Sequence, residues 1–167
     1  YFSGNTVVKF ITFNGTEKTY HAWDYASKAD METYGRTYNP CGQYNDANGK
    51  TVYYKDQTDN YHQQNYQLIW NQVVNSYWSS NVTLHYTNGY GYYEQYKTGQ
   101  KLAKYTLTND FSIKSDLIRR KIMANNFYGF VGSLNYDNKK NLTLSLGGGW
   151  NKYDGDHYGQ VLWVRTF

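Results

Sequence analysis

The sequence has a single cysteine, a single proline and no basic leader followed by an apolar stretch. Cys41 therefore has no partner in these residues for a disulfide or a zinc motif, and we expect an inert thiol in a loop. No run of about 18 apolar residues is present, which excludes a transmembrane helix. The missing leader means that no signal peptide is expected within these residues.

Charge is also scarce, at 18% of residues, with a formal net charge of +4. Aromatic residues reach 20%, and 21 of the 167 residues are tyrosine, which is too aromatic for an intrinsically disordered chain. The basic residues are scattered, and the only cluster is Lys114 with Arg119, Arg120 and Lys121. Because nucleic-acid readers concentrate their charge in a stripe, we do not expect a nucleic-acid partner.

Motifs for enzymatic chemistry are missing as well. No H-E-x-x-H, G-x-S-x-G or Walker A pattern occurs, and the histidines are far apart in the sequence. Residues 147–149, three glycines, predict a strand section with close backbone approach. Residues 154–157 predict a hairpin loop rather than a metal site, and residues 46–49 predict a turn rather than a calcium loop. We therefore expect no enzyme, no metal and no cofactor.

What the sequence does contain is alternation of apolar and polar residues, the pattern of strands with one apolar face. It is clearest from Trp78 to Tyr93, where even positions are mostly apolar or aromatic and odd positions small or polar. The same pattern along the chain predicts an all-β fold, an antiparallel up-and-down meander of about six long strands. The predicted strands are residues 5–13, 60–75, 78–94, 122–136, 140–151 and 158–167.

Helix is predicted only at Ala26–Tyr34, as one or two turns with Ser27 as a possible N-cap. Residues 113–123 fit either a helix or a strand. Tight turns are predicted at 75–77 and 137–140, and long loops at about 14–59 and 95–121. In a meander, alternate connections lie at the same end, so one end receives the tight turns and the other the long loops. This asymmetry is typical of outer-membrane barrels.

The predicted strand lengths also favour an outer-membrane barrel. From Trp78 to Tyr90 an extended chain spans roughly 40 Å. At the tilt of outer-membrane barrels this gives roughly 30 Å of height, slightly more than their apolar band of about 25 Å. Trp78, Tyr136, Tyr90 and Tyr92 would then lie in the aromatic girdles. The alternative is a soluble, aromatic-rich β-sandwich that binds glycans, in which Leu84 and Leu144 are buried against a second sheet.

Six strands are too few to close a barrel, because even a small filled barrel has about eight. We therefore expect this chain to be one part of a larger transmembrane barrel. Its start at Tyr1 agrees with the expectation that it is a fragment. A sheet with two open edges and an apolar face is also expected to associate with itself.

The predicted long loops contain many aromatic residues, which give large contact area at low entropic cost and suit ligand capture. The basic cluster suits an anionic ligand or the phosphates of lipopolysaccharide. The candidate ligand-binding residues are Trp23, Tyr25, Tyr34, Arg119 and Arg120.

Six runs of the sequence resemble TonB-dependent outer-membrane receptors. Four are similar to the barrel domain, and two, 17–23 and 36–42, are similar to an extracellular loop of the group. The four are residues 59–68, 84–96, 117–129 and 148–159. The resemblance covers most of the chain and implies that residues 1–167 are part of such a barrel.

The resemblance implies a protein of the outer membrane of a Gram-negative cell that imports a scarce solute such as a siderophore, cobalamin or a glycan. Its implied partners are that solute, outer-membrane lipid and an inner-membrane energy-coupling complex. The plug and the TonB box through which the family couples to that complex are not found in these residues, so gating and coupling are not expected to reside in them.

Overall fold

In the computed structural model, residues 1–165 are described. The chain is all-β, with 66% strand and 7% helix, as the alternation predicted. The strands are β1 Phe2–Ser3, β2 Thr6–Tyr20, β3 Gln43–Asn45, β4 Thr51–Tyr53, β5 Thr58–Val73, β6 Trp78–Lys101, β7 Lys114–Asp137 and β8 Thr143–Val164. A helix, α1, spans Lys28–Tyr34, and a 3-10 helix spans Leu102–Tyr105.

Six strands form one mostly antiparallel sheet in the order β1-β2-β5-β6-β7-β8, and β3 and β4 form a separate hairpin. The long strands follow one another in sequence order, which confirms the predicted meander, but they number five rather than about six, and the sixth strand of the sheet is the two-residue β1. The sheet is open in the part of the chain that the structure describes: β8 is one edge, and β1 pairs with only two residues of β2. Backbone hydrogen-bonding groups are therefore left unpaired along both edges.

In each tight turn, the side-chain oxygen of an asparagine accepts hydrogen bonds from backbone N–H groups of the turn. Asn75 Oδ1 accepts hydrogen bonds from the backbone N–H groups of Tyr77 and Trp78, at 2.9 and 3.0 Å. Asn138 Oδ1 accepts from three successive backbone N–H groups, those of residues 140–142. Both predicted turns are confirmed, and so is the turn at 46–49, where Asp46 Oδ1 accepts from the backbone of Asn48 and Lys50.

The predicted helix is also confirmed, and its start follows from one cap. Ser27 Oγ accepts from the backbone N–H of Asp30, while the Asp30 carboxylate accepts from the backbone N–H of Ser27, so a capping box begins α1. Residues 113–123, which fitted helix or strand, are strand from Lys114 on.

Two sequence predictions about the last part of the chain were wrong. Residues 140–151 and 158–167 do not form two strands, because β8 runs without interruption from Thr143 to Val164. The predicted hairpin loop at 154–157 consequently lies within a strand. The glycine and aspartates favour a turn, but pairing with the neighbouring long strand β7 overrides that preference. Thr166 and Phe167 lie outside the described residues.

The predicted loops are shorter than expected, because the strands are longer. Strand β2 continues to Tyr20, β6 continues to Lys101, and β7 begins at Lys114. The second loop is thus reduced to residues 102–113. The first keeps residues 21–57, which include α1 and the β3-β4 hairpin.

The chain divides into two compact units. The first, the turn unit, consists of Tyr1–Thr16, His62–Tyr90 and Ala124–Asp156 and contains both tight turns. The second, the loop unit, consists of Glu17–Tyr61, Gly91–Met123 and the described residues from His157 onward. Within the described residues, all the buried apolar side chains belong to the loop unit: Cys41, Tyr96, Leu102, Leu117 and Ile122.

Candidate functional site

The turn unit has an apolar face that is exposed. The even-numbered positions of its strands hold large apolar side chains with roughly 40 to 80% of their surface accessible. They are Phe10, Leu68, Trp70, Trp78, Leu84, Tyr86, Tyr90, Phe130, Leu134, Leu144, Leu146 and Trp150. Ring contacts join neighbouring strands on this face: Tyr66 packs against Phe10 and Tyr86, at 6.4 and 6.1 Å between ring centroids.

A β-sandwich would bury this face, and this is the point on which the two sequence interpretations differ. Leu84 is 48% exposed and Leu144 is 56% exposed. Leu142, the residue before β8, is 44% exposed. The burial that the sandwich alternative predicted for Leu84 and Leu144 is therefore not found in the chain.

The opposite, odd-numbered face of the turn unit carries polar side chains that bond to one another across strands. Asn81 donates to Asn71 at 2.6 Å, and Thr87 donates to Asn65 at 2.9 Å. A third link joins Ser145 of β8 to Asn135 of β7. This face is polar only in part, because six of its side chains add exposed apolar or aromatic surface: Ile11, Phe13, Val73, Phe127, Val131 and Tyr153.

One of these polar links spans three strands and depends on a glycine. His85 of β6 lies 2.7 Å from Asn151 Oδ1 of β8, with β7 between them. A Cβ on Gly129 of β7 would lie only 2.7 Å from that same oxygen. The missing side chain of Gly129 therefore leaves room for the link. At Gly149 a Cβ would lie 2.8 Å from the Phe130 carbonyl oxygen, so the backbones of β7 and β8 approach closely there. The predicted close backbone approach is confirmed at Gly147 and Gly149, whereas a Cβ on Gly148 would meet no atom within 4 Å.

In the loop unit, Arg120 is neutralised by a buried carboxylate. Its Nε donates to Glu94 Oε2 at 2.6 Å, and Glu94 is only 5% exposed. The guanidinium also lies 4.1 Å from the ring centroid of Tyr92, a cation–π contact. The Tyr54 hydroxyl donates to the other oxygen of Glu94. Burial and this bond to a carboxylate raise the pKa of Tyr54, so the hydroxyl stays protonated.

Arg119, the preceding residue, has neutral hydrogen-bond partners. Its Nε and one terminal nitrogen donate to Gln95 Oε1 at 3.2 and 2.9 Å, and the other terminal nitrogen donates to the Tyr105 hydroxyl at 3.0 Å. It lines a cavity of about 540 Å³ together with Lys104 and Lys121. The described lining of this cavity includes no aspartate or glutamate.

An aromatic cluster lies at the start of the first loop, directly after β2. The ring of His21 stacks on Trp23 at 3.9 Å, and both meet the edge of Tyr93. His21 is 3% exposed, and neither of its ring nitrogens has a hydrogen-bond partner among the described residues. Burial lowers the pKa of His21 below its ordinary 6.5, although Asp59 and Asp24 act in the opposite direction. The ring is therefore neutral near pH 7.

A second ionic link holds the described end of β8. Asp116 of β7 lies 3.1 Å from Arg165 and accepts a hydrogen bond from the Tyr96 hydroxyl at 2.9 Å. Burial and that bond raise the pKa of Tyr96 to about 12. The Tyr96 ring stacks on Tyr44 of the β3-β4 hairpin at 4.1 Å, which fixes the hairpin within the loop unit.

The predicted ligand-binding residues do not form one group. Trp23 is 43% exposed beside His21, and Tyr25 is 98% exposed. Tyr34 ends α1 and stacks on Tyr38, at 4.7 Å between ring centroids. Arg119 and Arg120 lie in two separate hydrogen-bond networks, one neutral and one ionic. Sequence reasoning did not identify Gln95, Lys104 or Tyr105, because nothing in the sequence pairs them with Arg119.

A further cavity of about 570 Å³ in the loop unit is lined by groups of both charges, including Asp59 and Lys121. The Lys121 ammonium lies 5.6 Å from the Tyr93 ring centroid.

Among the described residues, no group of three or more His, Cys, Asp or Glu side chains is arranged to hold a metal ion. In the same part of the chain, no helix is long and apolar enough to cross a membrane.

Comparison of the chain with protein-family models, with curated proteins and with solved structures finds no match in any of the three. A function for the chain therefore has to be inferred from its residues and from the geometry of its two units.

Proposed function

We propose that this chain is part of the wall of an outer-membrane β-barrel that imports a solute, with the segments of the turn unit as its membrane-spanning part. One observation carries the proposal: the turn unit exposes a continuous series of apolar and aromatic side chains on one face and bonds polar side chains to each other on the other. Alternation of apolar-out and polar-in side chains is the pattern of strands in a lipid bilayer.

Water is a poor solvent for such a face. Soluble monomers rarely expose contiguous apolar patches larger than a few hundred Å². Here exposed leucine and aromatic side chains recur on five neighbouring strands. Hydrocarbon removes the cost of that exposure, and the polar face then suits a water-filled interior.

The aromatic residues near the tight turns support the same proposal. Trp78 begins β6, and its ring lies 4.8 Å from that of Tyr136, which is next to the end of β7. Tyr77, in the turn itself, lies 6.4 Å from Tyr136. Tryptophan and tyrosine are enriched at membrane interfaces because their rings are apolar and their N–H or O–H groups reach water.

The open edges require further strands for a closed barrel. Because about eight strands is the smallest filled barrel, the six-stranded sheet must be completed by other strands. Within this class, the six runs that resemble TonB-dependent receptors favour a receptor that imports a scarce solute. Its partners would be the solute, outer-membrane lipid and an inner-membrane energy-coupling complex reached through a plug and a TonB box.

Flotation with lipid vesicles tests the proposal. The purified chain, refolded in detergent and mixed with phosphatidylcholine vesicles during detergent removal, is expected to float with the vesicles in a sucrose gradient. It should stay with them after washing at pH 11, because integral strands resist the wash that removes peripheral proteins. A chain that is a monodisperse monomer in plain buffer and does not float would contradict the proposal and favour the soluble glycan-binding alternative.

A further inference from the structure

We propose that the cavity lined by Arg119, Lys104 and Lys121 binds a multiply charged oxyanion, one that bears phosphate or carboxylate groups. The inference rests on the proposed function, since it names the chemical class of the solute that the loop unit receives. Its first basis is the described lining of the cavity, which contains four basic residues, Lys104, Arg119, Arg120 and Lys121, and no aspartate or glutamate.

The second basis is the difference between two neighbouring arginines. Arg120 has its charge balanced by Glu94 at 2.6 Å and lies against Tyr92. Arg119 is held in position by the amide oxygen of Gln95 and the hydroxyl of Tyr105, and both groups are neutral. Neutral acceptors orient a guanidinium without cancelling its charge. Arg119 is thus a fixed positive group that still lacks a counter-ion in these contacts.

The rigidity of that arrangement matters for binding. Gln95 is 7% exposed, so the acceptor that holds Arg119 is itself fixed by packing. An arginine whose position is set before the ligand arrives loses less side-chain entropy on binding. Lys104 and Lys121 are exposed and line the same cavity, and Lys121 also lines the neighbouring cavity that contains Asp59.

The size and charge of the cavity define the ligand class. About 540 Å³ lies within the range of roughly 300–1,000 Å³ that small-molecule sites occupy. The planar guanidinium fork matches phosphate and carboxylate oxygens, and three cations suit an anion of more than one charge. The phosphate could belong to a soluble solute or to a lipid headgroup, and the experiment separates these two sources.

Calorimetric titration tests the inference on the full chain in zwitterionic detergent micelles. Sodium pyrophosphate is the soluble probe, and micelles doped with phosphatidic acid supply the headgroup. We expect pyrophosphate to bind, with an affinity that falls as salt is raised. Arg119→Gln should weaken binding at least tenfold, and Lys121→Gln should weaken it several-fold. Arg36→Gln, which removes an exposed arginine from outside the cavity, should change it less than twofold.

The outcomes are distinct. Competition by phosphatidic acid would assign the site to headgroups, and its absence would assign it to soluble oxyanions. Lack of binding of both probes, or equal weakening by Arg119→Gln and Arg36→Gln, would overturn the inference. Because the titration needs no vesicle insertion, it can fail while the chain floats with vesicles, and it can succeed while flotation fails. Failure of this inference and failure of the proposed function are thereby distinguishable.

Discussion

Replacement of Leu84 by arginine is expected to lower the free energy of unfolding in a phospholipid bilayer by about 2–4 kcal/mol, the range for a cation near the midplane of a barrel's lipid face. Leu84 lies midway between Trp78 and Tyr90 on the apolar face of the turn unit, and it is 48% exposed. In a bilayer that exposed surface meets hydrocarbon, in which a guanidinium is poorly solvated. The measurement is a urea titration of the chain reconstituted in vesicles.

Thr83→Arg is the matched control, one residue away on the polar face. Since that face is proposed to meet water, the added charge should change the free energy of unfolding by no more than about 0.5–1 kcal/mol. If Leu84 were an exposed residue of a soluble protein, Leu84→Arg would also cost no more than about 0.5 kcal/mol. Equal costs for the two variants would therefore contradict the assignment of the faces.

Replacement of Arg120 by glutamine is expected to destabilise the loop unit by about 3 kcal/mol, because it leaves the carboxylate of Glu94 buried without its counter-ion. Glu94 is 5% exposed and, of its partners among residues 1–165, would keep only the hydrogen bond from the Tyr54 hydroxyl. The change should be measured as the loss of amide hydrogen-exchange protection in β6 and β7 residues of the loop unit.

The double variant Glu94→Gln with Arg120→Gln provides the control for this prediction. With the buried charge removed as well, more than half of the lost stability should return. Arg36→Gln, at an exposed position, should leave exchange protection unchanged. A cost below about 0.5 kcal/mol for Arg120→Gln alone would show that the pair does not stabilise the loop unit.

Much of the fold follows from short-range chemistry and was predictable. The asparagine and aspartate residues of the two tight turns bond to their own turn backbone, and Ser27 with Asp30 caps α1. The alternation of side chains along β6 and β7 identified the apolar face, because successive side chains of a strand point to opposite faces. These features depend only on residues close together in the sequence.

The features that were missed depend on partners far away in the sequence. Residues 154–157 contain strong turn formers, yet they are strand because β7 continues beside them. The same holds for the site. Arg119 and Arg120 look equivalent in the sequence. Their partners on β6 differ: Arg119 bonds to the neutral Gln95, whereas the charge of Arg120 is balanced by the carboxylate of Glu94.

The central claim is that hydrocarbon is the solvent for the even-numbered face of the turn unit. Spin labels placed singly at residues 82–86 of β6, in a Cys41→Ser background and in phospholipid vesicles, test it most directly. Accessibility to oxygen, which concentrates in hydrocarbon, should be high at 82, 84 and 86. Accessibility to a water-soluble nickel chelate should be high at 83 and 85. Uniform accessibility to the nickel chelate, or the reversed alternation, would contradict the claim.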